Sequence, residues 1–171
     1  MPKWSVGSWL ANPALSGGVV RDTNIHDTDM IIGLFGAPKS VFTVGCDTLC
    51  RSVYTYEGKA VLASASWRDV EGLPSERGID VLFERGFIKN RGSDITVYTQ
   101  GDSFEPLEVD EFSEFFGENS IENEIKYFAH CVVSGEEPTL CPPEDSLVSI
   151  KVSCAQSESL KDSKEVVIQP M

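Results

Sequence analysis

The chain has 171 residues, of which 27 are acidic and 14 basic, for a net charge of −13. Hydrophobic residues make up 41%, enough to build a core, so wholesale disorder is excluded. Scattered lysines and arginines under an acidic balance argue against a nucleic-acid partner, which is held mainly through clustered positive charge.

In chain order, the first element is helical. The stretch Gly17 to Gly36 opens on a Gly-Gly turn and closes on a glycine, with Pro38 just beyond, a pattern that stops helices. From Val41 to about Glu108 the sequence reads as strands. Val41–Val44, Ser52–Tyr56, Ala60–Trp67, Gly78–Phe83, Gly86–Lys89 and Asp94–Thr99 are rich in β-branched and aromatic residues. Short turns separate them, Glu57-Gly58 among them, so the pairing is expected to be antiparallel. Helical period returns at Ile121, Ile125, Phe128 and Val132, which form one apolar stripe ended by Gly135 and Pro138. Pro142-Pro143-Glu144-Asp145 opens another helix, with acidic residues against its N-terminal dipole, running to about Leu160. A short strand, Glu165 to Ile168, closes the chain. The fold class expected is α+β: a largely antiparallel, open-faced sheet with helices on one face, in a single domain spanning 1–171.

Compartment and metal chemistry are read from smaller features. No apolar run approaches the ~18 residues of a membrane span, and the longest, Met30 to Ala37, contains two glycines. The N-terminus lacks the basic start and apolar stretch of a signal peptide. Five cysteines, Cys46, Cys50, Cys131, Cys141 and Cys154, give an odd count that points to reduced thiols. A cytoplasmic location and no membrane partner are therefore expected. Cys46 and Cys50 are spaced for a metal, but no second Cys or His pair follows, so no metal site is expected and the two read as half-buried thiols on a hairpin.

The first helix carries the candidate chemistry. Asp22, His26, Asp29 and Gly33 lie at i, i+4, i+7 and i+11, within roughly 60° of one another on one helix face. Ile25, Ile31, Ile32 and Phe35 take the opposite side. A carboxylate beside an imidazole holds one tautomer and raises its basicity, as acid–base work requires, and Gly33 leaves the next turn open. The other reading of the same residues is a helix cap at Asp22 with solvated neighbours. His130, among Ala129, Cys131 and Val132, reads as a partly buried or interfacial histidine.

The string Ser16-Gly-Gly-Val-Val-Arg-Asp22-Thr-Asn-Ile-His26-Asp-Thr-Asp29, with Leu34-Phe-Gly36 and Pro38-Lys-Ser-Val41 after it, resembles the C-terminal substrate domain of the Gfo/Idh/MocA oxidoreductases. That family includes glucose–fructose oxidoreductase and inositol dehydrogenase. Trp67 at a strand end, Asn119 to Phe128 with Gly135-Glu-Glu-Pro138, Glu144 to Lys161, and Glu165 to Ile168 extend the resemblance over nearly the whole chain. It implies an open-faced α+β domain of the dihydrodipicolinate-reductase-like kind that binds a sugar, polyol or related hydroxy compound. An N-terminal Rossmann domain binding NAD or NADP would complete the enzyme. By the resemblance His26 is the acid/base, Asp22 orients it and binds substrate, and Asp29 is either substrate-facing or structural. The open sheet face is implied as a homo-oligomer interface.

The departures are as specific. There is no Gly-x-Gly-x-x-Gly after a strand and no Glu-Lys-Pro, whose lysine completes the family's active site; Glu136-Glu-Pro138 ends a helix in the wrong half. A first strand of the family's sheet is also expected to be missing. The Rossmann half is thus absent from this chain, which alone is expected to show no dehydrogenase activity. The alternative is a stand-alone binding or oligomerisation module that keeps the fold without the chemistry.

Overall fold

A computed structural model describes residues 6–67, 76–92, 94–99, 105–106, 120–140 and 142–169. The chain divides into two compact units, Met1–Glu71 with Thr139–Met171, and Gly72–Pro138. Of the residues singled out above, Asn119 and Cys141 lie outside the described ones.

The first unit begins with a 3₁₀ turn, Trp9–Ala11, and helix α1, Pro13–Ser16. Neither was expected from the sequence. Asn12 caps α1 by accepting from the Ala14 N–H, and Pro13 starts it. Helices α2, Gly18–Asp22, and α3, Asn24–Phe35, follow. Strands β1 (Ser40–Cys46), β2 (Leu49–Thr55) and β3 (Ala60–Ser66) come next, and α5 (Pro143–Asp162) and β8 (Val166–Val167) complete the unit. The sheet order is β3-β2-β1-β8, with every pair antiparallel.

Strand alternation then decides what each face carries. Val41 and Tyr54 pair on the inner face with Val61 beside them, and they pack with Ile31 of α3 and Val152 of α5. A second cluster joins Val19 and Val20 of α2 to Cys50, Ala65, Trp67 and Leu10. The outer face carries the row Phe42, Val53 and Leu62. The open-faced α+β arrangement is therefore present. The same alternation corrects the reading of the hairpin thiols: Cys50 is fully buried and Cys46 exposed, because they stand on opposite faces.

The second unit holds β4 (Gly78–Phe83), β5 (Gly86–Arg91), β6 (Asp94–Thr99) and β7 (Glu105–Pro106), paired antiparallel in that order, with α4 (Ser120–Ser134). The strands thus form two four-stranded sheets where the sequence reads as one. Tight turns fix β1–β2 and β2–β3 in the first sheet and β4–β5 and β5–β6 in the second.

On α4, Ile121, Ile125, Phe128 and Val132 are all exposed and Cys131 is the buried side chain. The partly buried reading of His130 is corrected: its ring is exposed on that helix, with Nε2 3.7 Å from Glu136 Oε2. Among the described residues no helix is long and apolar enough to cross a membrane.

Candidate functional site

Two glycines place the helix pair that carries the site. Gly17 and Gly18 both adopt left-handed backbone, with φ of 77° and 69°. A Cβ on Gly18 would stand 3.1 Å from the Asp47 carbonyl oxygen, and the same carbonyl accepts from the Val19 N–H at 2.8 Å. The start of α2 is thereby docked onto the β1–β2 hairpin.

The continuous helix expected from the spacing is broken at Thr23, whose φ of −105° and ψ of −51° separate α2 from α3. Asp22 is the last residue of α2, while His26, Asp29 and Gly33 belong to α3. Of the four, His26, Asp29 and Gly33 are exposed and Asp22 is half-buried. Asp22 Oδ2 accepts from the Trp67 indole Nε1 at 3.1 Å and from Thr23 Oγ1 at 3.1 Å. The expected carboxylate–imidazole hydrogen bond is not formed. Among the described residues the His26 ring makes none, and Asp22 is turned to Trp67 instead. Nor does the Asp22 side chain cap a helix. Asp29 accepts from Ser149 Oγ of α5 at 2.6 Å, which ties its carboxylate to the neighbouring helix.

Beneath this face lies a polar cluster that sequence reasoning missed. Asn24, Thr28, Tyr54 and Gln156 are fully buried, and Ser52 nearly so. The Gln156 amide donates to Asn24 Oδ1 at 2.7 Å and lies 2.8 Å from Ser52 Oγ and 2.9 Å from the Tyr54 hydroxyl. Thr28 Oγ1 lies 3.0 Å from Gln156 Oε1 and 2.8 Å from the Tyr54 hydroxyl. Burial pushes the Tyr54 phenol well above its usual range, against the pull of its hydrogen bond to Thr28. The cluster bonds α3, β2 and α5 to one another, so it sets which side of α3 faces the sheet and which side presents His26.

The signal that could have found it is the spacing of Asn24 and Thr28, four residues apart and opposite the exposed His26 and Asp29. Among the described residues no group of three or more His, Cys, Asp or Glu is placed to hold a metal.

No protein-family model matches the chain, and no curated protein matches its sequence. Solved structures do match its fold. Levoglucosan dehydrogenase, in complex with NADH and levoglucosan, superposes with a TM-score of 0.76 at 16% identity, covering 98% of this chain and 56% of that one. The fold is that of about half an oxidoreductase chain. An NAD-binding oxidoreductase from Klebsiella pneumoniae gives 0.75 at 18% identity, covering 96% and 54%. The WlbA dehydrogenase from Bordetella pertussis, in complex with NADH and UDP-GlcNAcA, gives 0.64 at 16%, covering 92% and 46%. The chain spans about half the length of the solved oxidoreductases it matches.

Proposed function

We propose that this chain is the C-terminal, substrate-binding half of an NAD(P)-dependent oxidoreductase of the Gfo/Idh/MocA kind, acting on a sugar, polyol or related hydroxy compound. The observation that carries the reading is the exposed His26 ring, four residues after an Asp22 carboxylate that Trp67 holds, in a fold shared with half of levoglucosan dehydrogenase.

The nicotinamide would supply the hydride acceptor from an NAD(P)-binding half, since no Gly-x-Gly-x-x-Gly follows a strand in this sequence. This chain supplies the acceptors. His26 takes the proton of the hydroxyl being oxidised, Asp22 accepts a hydrogen bond from the substrate, and Asp29 steadies the face from α5. A second copy covers the open sheet face.

The test is reduction of NAD⁺ or NADP⁺ by the longest natural reading frame that contains this sequence, with levoglucosan and myo-inositol as substrates. His26→Ala is expected to lower kcat by roughly 10²- to 10⁴-fold. An unchanged rate removes His26 from the mechanism, and absence of turnover with any polyol removes the substrate class. The purified 171-residue chain by itself is expected to show no turnover.

A further inference from the structure

The carboxylate of Asp22 is held on one oxygen only. Trp67 Nε1 lies 2.6 Å from Thr23 Oγ1 and 3.1 Å from Asp22 Oδ2, and Thr23 Oγ1 is 3.1 Å from the same Oδ2. Three atoms form a triangle that contains two hydrogens, one on the indole and one on the hydroxyl. The indole N–H is shared between Thr23 Oγ1 and Asp22 Oδ2, with the shorter edge to Thr23, and the Thr23 hydroxyl donates to Oδ2, so both protons serve that single oxygen. Among the described residues Oδ1 accepts nothing. The indole cannot swing away, because Trp67 is only 7% exposed, packed in the cluster of Val19, Val20, Cys50 and Ala65, with its backbone N–H donating to the Thr48 carbonyl at 2.9 Å.

We propose that Trp67 and Thr23 are positioning residues, which commit Asp22 Oδ2 to the protein and reserve Oδ1 as the acceptor for a ligand hydroxyl. The inference rests on the polyol reading above and deepens it. A carboxylate free to rotate would present either oxygen to either side. One pinned by Trp67 and Thr23 presents a fixed acceptor four residues before His26, across the α2–α3 break, so a ligand that places a hydroxyl on Asp22 has its neighbouring carbinol position set relative to the imidazole. Thr23 is the pivot, since the break between α2 and α3 occurs at this residue.

The experiment follows the Trp67 indole N–H by NMR in the ¹⁵N-labelled chain, assigned by its loss in Trp67→Phe. Titration with myo-inositol is expected to shift that resonance saturably. Thr23→Ser should bind like wild type, and Thr23→Val should bind roughly tenfold more weakly at an unchanged melting temperature. Wild-type affinity in both Thr23→Val and Trp67→Phe, read at the His26 ring, overturns the proposal and leaves the triangle a purely structural contact. If myo-inositol binds nowhere on the chain, the polyol reading fails, and the clamp is then decided by substitution. The indole resonance should move in Asp22→Asn and in Thr23→Val relative to wild type. A resonance indifferent to Asp22→Asn overturns it.

Discussion

The Gln156 side-chain amide of α5 donates to Asn24 Oδ1 of α3 at 2.7 Å, with both side chains fully buried. That bond is the centre of the cluster that locks the site-bearing helix to the sheet. Replacing Gln156 with Leu keeps the volume and removes the partner of Asn24, Thr28, Ser52 and Tyr54 together. A buried polar group stripped of its partner costs about 1–3 kcal/mol, so Gln156→Leu should lower stability by at least about 2 kcal/mol in urea unfolding. A change below about 0.5 kcal/mol would show that the remaining groups re-pair without it.

Three residues before Gln156, the opposite substitution should help. Ser153 is 1% exposed, and its hydroxyl finds no hydrogen-bond partner among the described residues. Ser153→Ala removes an unpaired buried hydroxyl and raises helix propensity. Stability should rise by about 0.5–1 kcal/mol, with a matching increase in melting temperature. A loss of stability would reveal a partner for this hydroxyl.

Alkali should unfold the chain through two buried acids. Burial pushes the Cys50 thiol from its ordinary 9.0 up to about 11, and the Tyr54 phenol rises for the same reason. Both folded-state values lie above the unfolded ones, so their contribution is complete below about pH 9 and is lost as pH rises through the folded values. Between about pH 9 and 11 Cys50 alone removes up to about 1.4 kcal/mol per pH unit, and Tyr54 adds to the slope above about pH 10. Urea midpoints measured from pH 7 to 11 check this. Cys50→Ala should lose the earlier part of the decline and keep the later one.

The strands were legible because their residue types and turns agree. The predicted stretches at Gly78–Phe83 and Asp94–Thr99 coincide with β4 and β6, and Glu57-Gly58 is the β2–β3 turn. Helix α5 was legible from its proline start and acidic first turn, yet its buried stripe of Ser149, Val152, Ser153, Gln156 and Ser159 was not, because four of the five are polar. Hydrophobic period finds helices that bury apolar side chains and is blind to one that docks by hydrogen bonds. Ser159 shows the logic: its Oγ accepts from the Thr43 N–H at 2.8 Å, just past the point where the two-residue β8 stops pairing with β1. At the site, the spacing of His26 and Asp29 marks an exposed α3 face, whereas Asp22 ends α2 half-buried. The break at Thr23 falls on Asp22-Thr23-Asn24, three weak helix formers that favour turns, but with no Gly or Pro among them the i, i+4 spacing reads as one continuous helix. Nor could it show Asp22 turning to a tryptophan 45 residues away.

The outer face of the first sheet bears on how copies of the chain meet. Phe42, Val53 and Leu62 form one row across β1, β2 and β3, flanked by Val44 and, on β8, Val167. Leu62 is 76% exposed and Val167 65%, on the side of the sheet opposite α2, α3 and α5. Flat apolar rows on an uncovered sheet favour association, since each Å² removed from water contributes about 25 cal/mol. Within the paired strands of this face the charged residue is Arg51, between Val44 and Ser64, and Glu165, hydrogen-bonded to Ser40 Oγ, borders the row at the β8 edge. Light scattering at high concentration should therefore give at least a dimer. Phe42→Asp with Leu62→Asp should convert it to monomer while circular dichroism stays the same, because both side chains point away from the core. A wild-type chain that remains monomeric at millimolar concentration would remove the sheet face as an interface, and an unchanged dimer in the double variant would move the interface elsewhere.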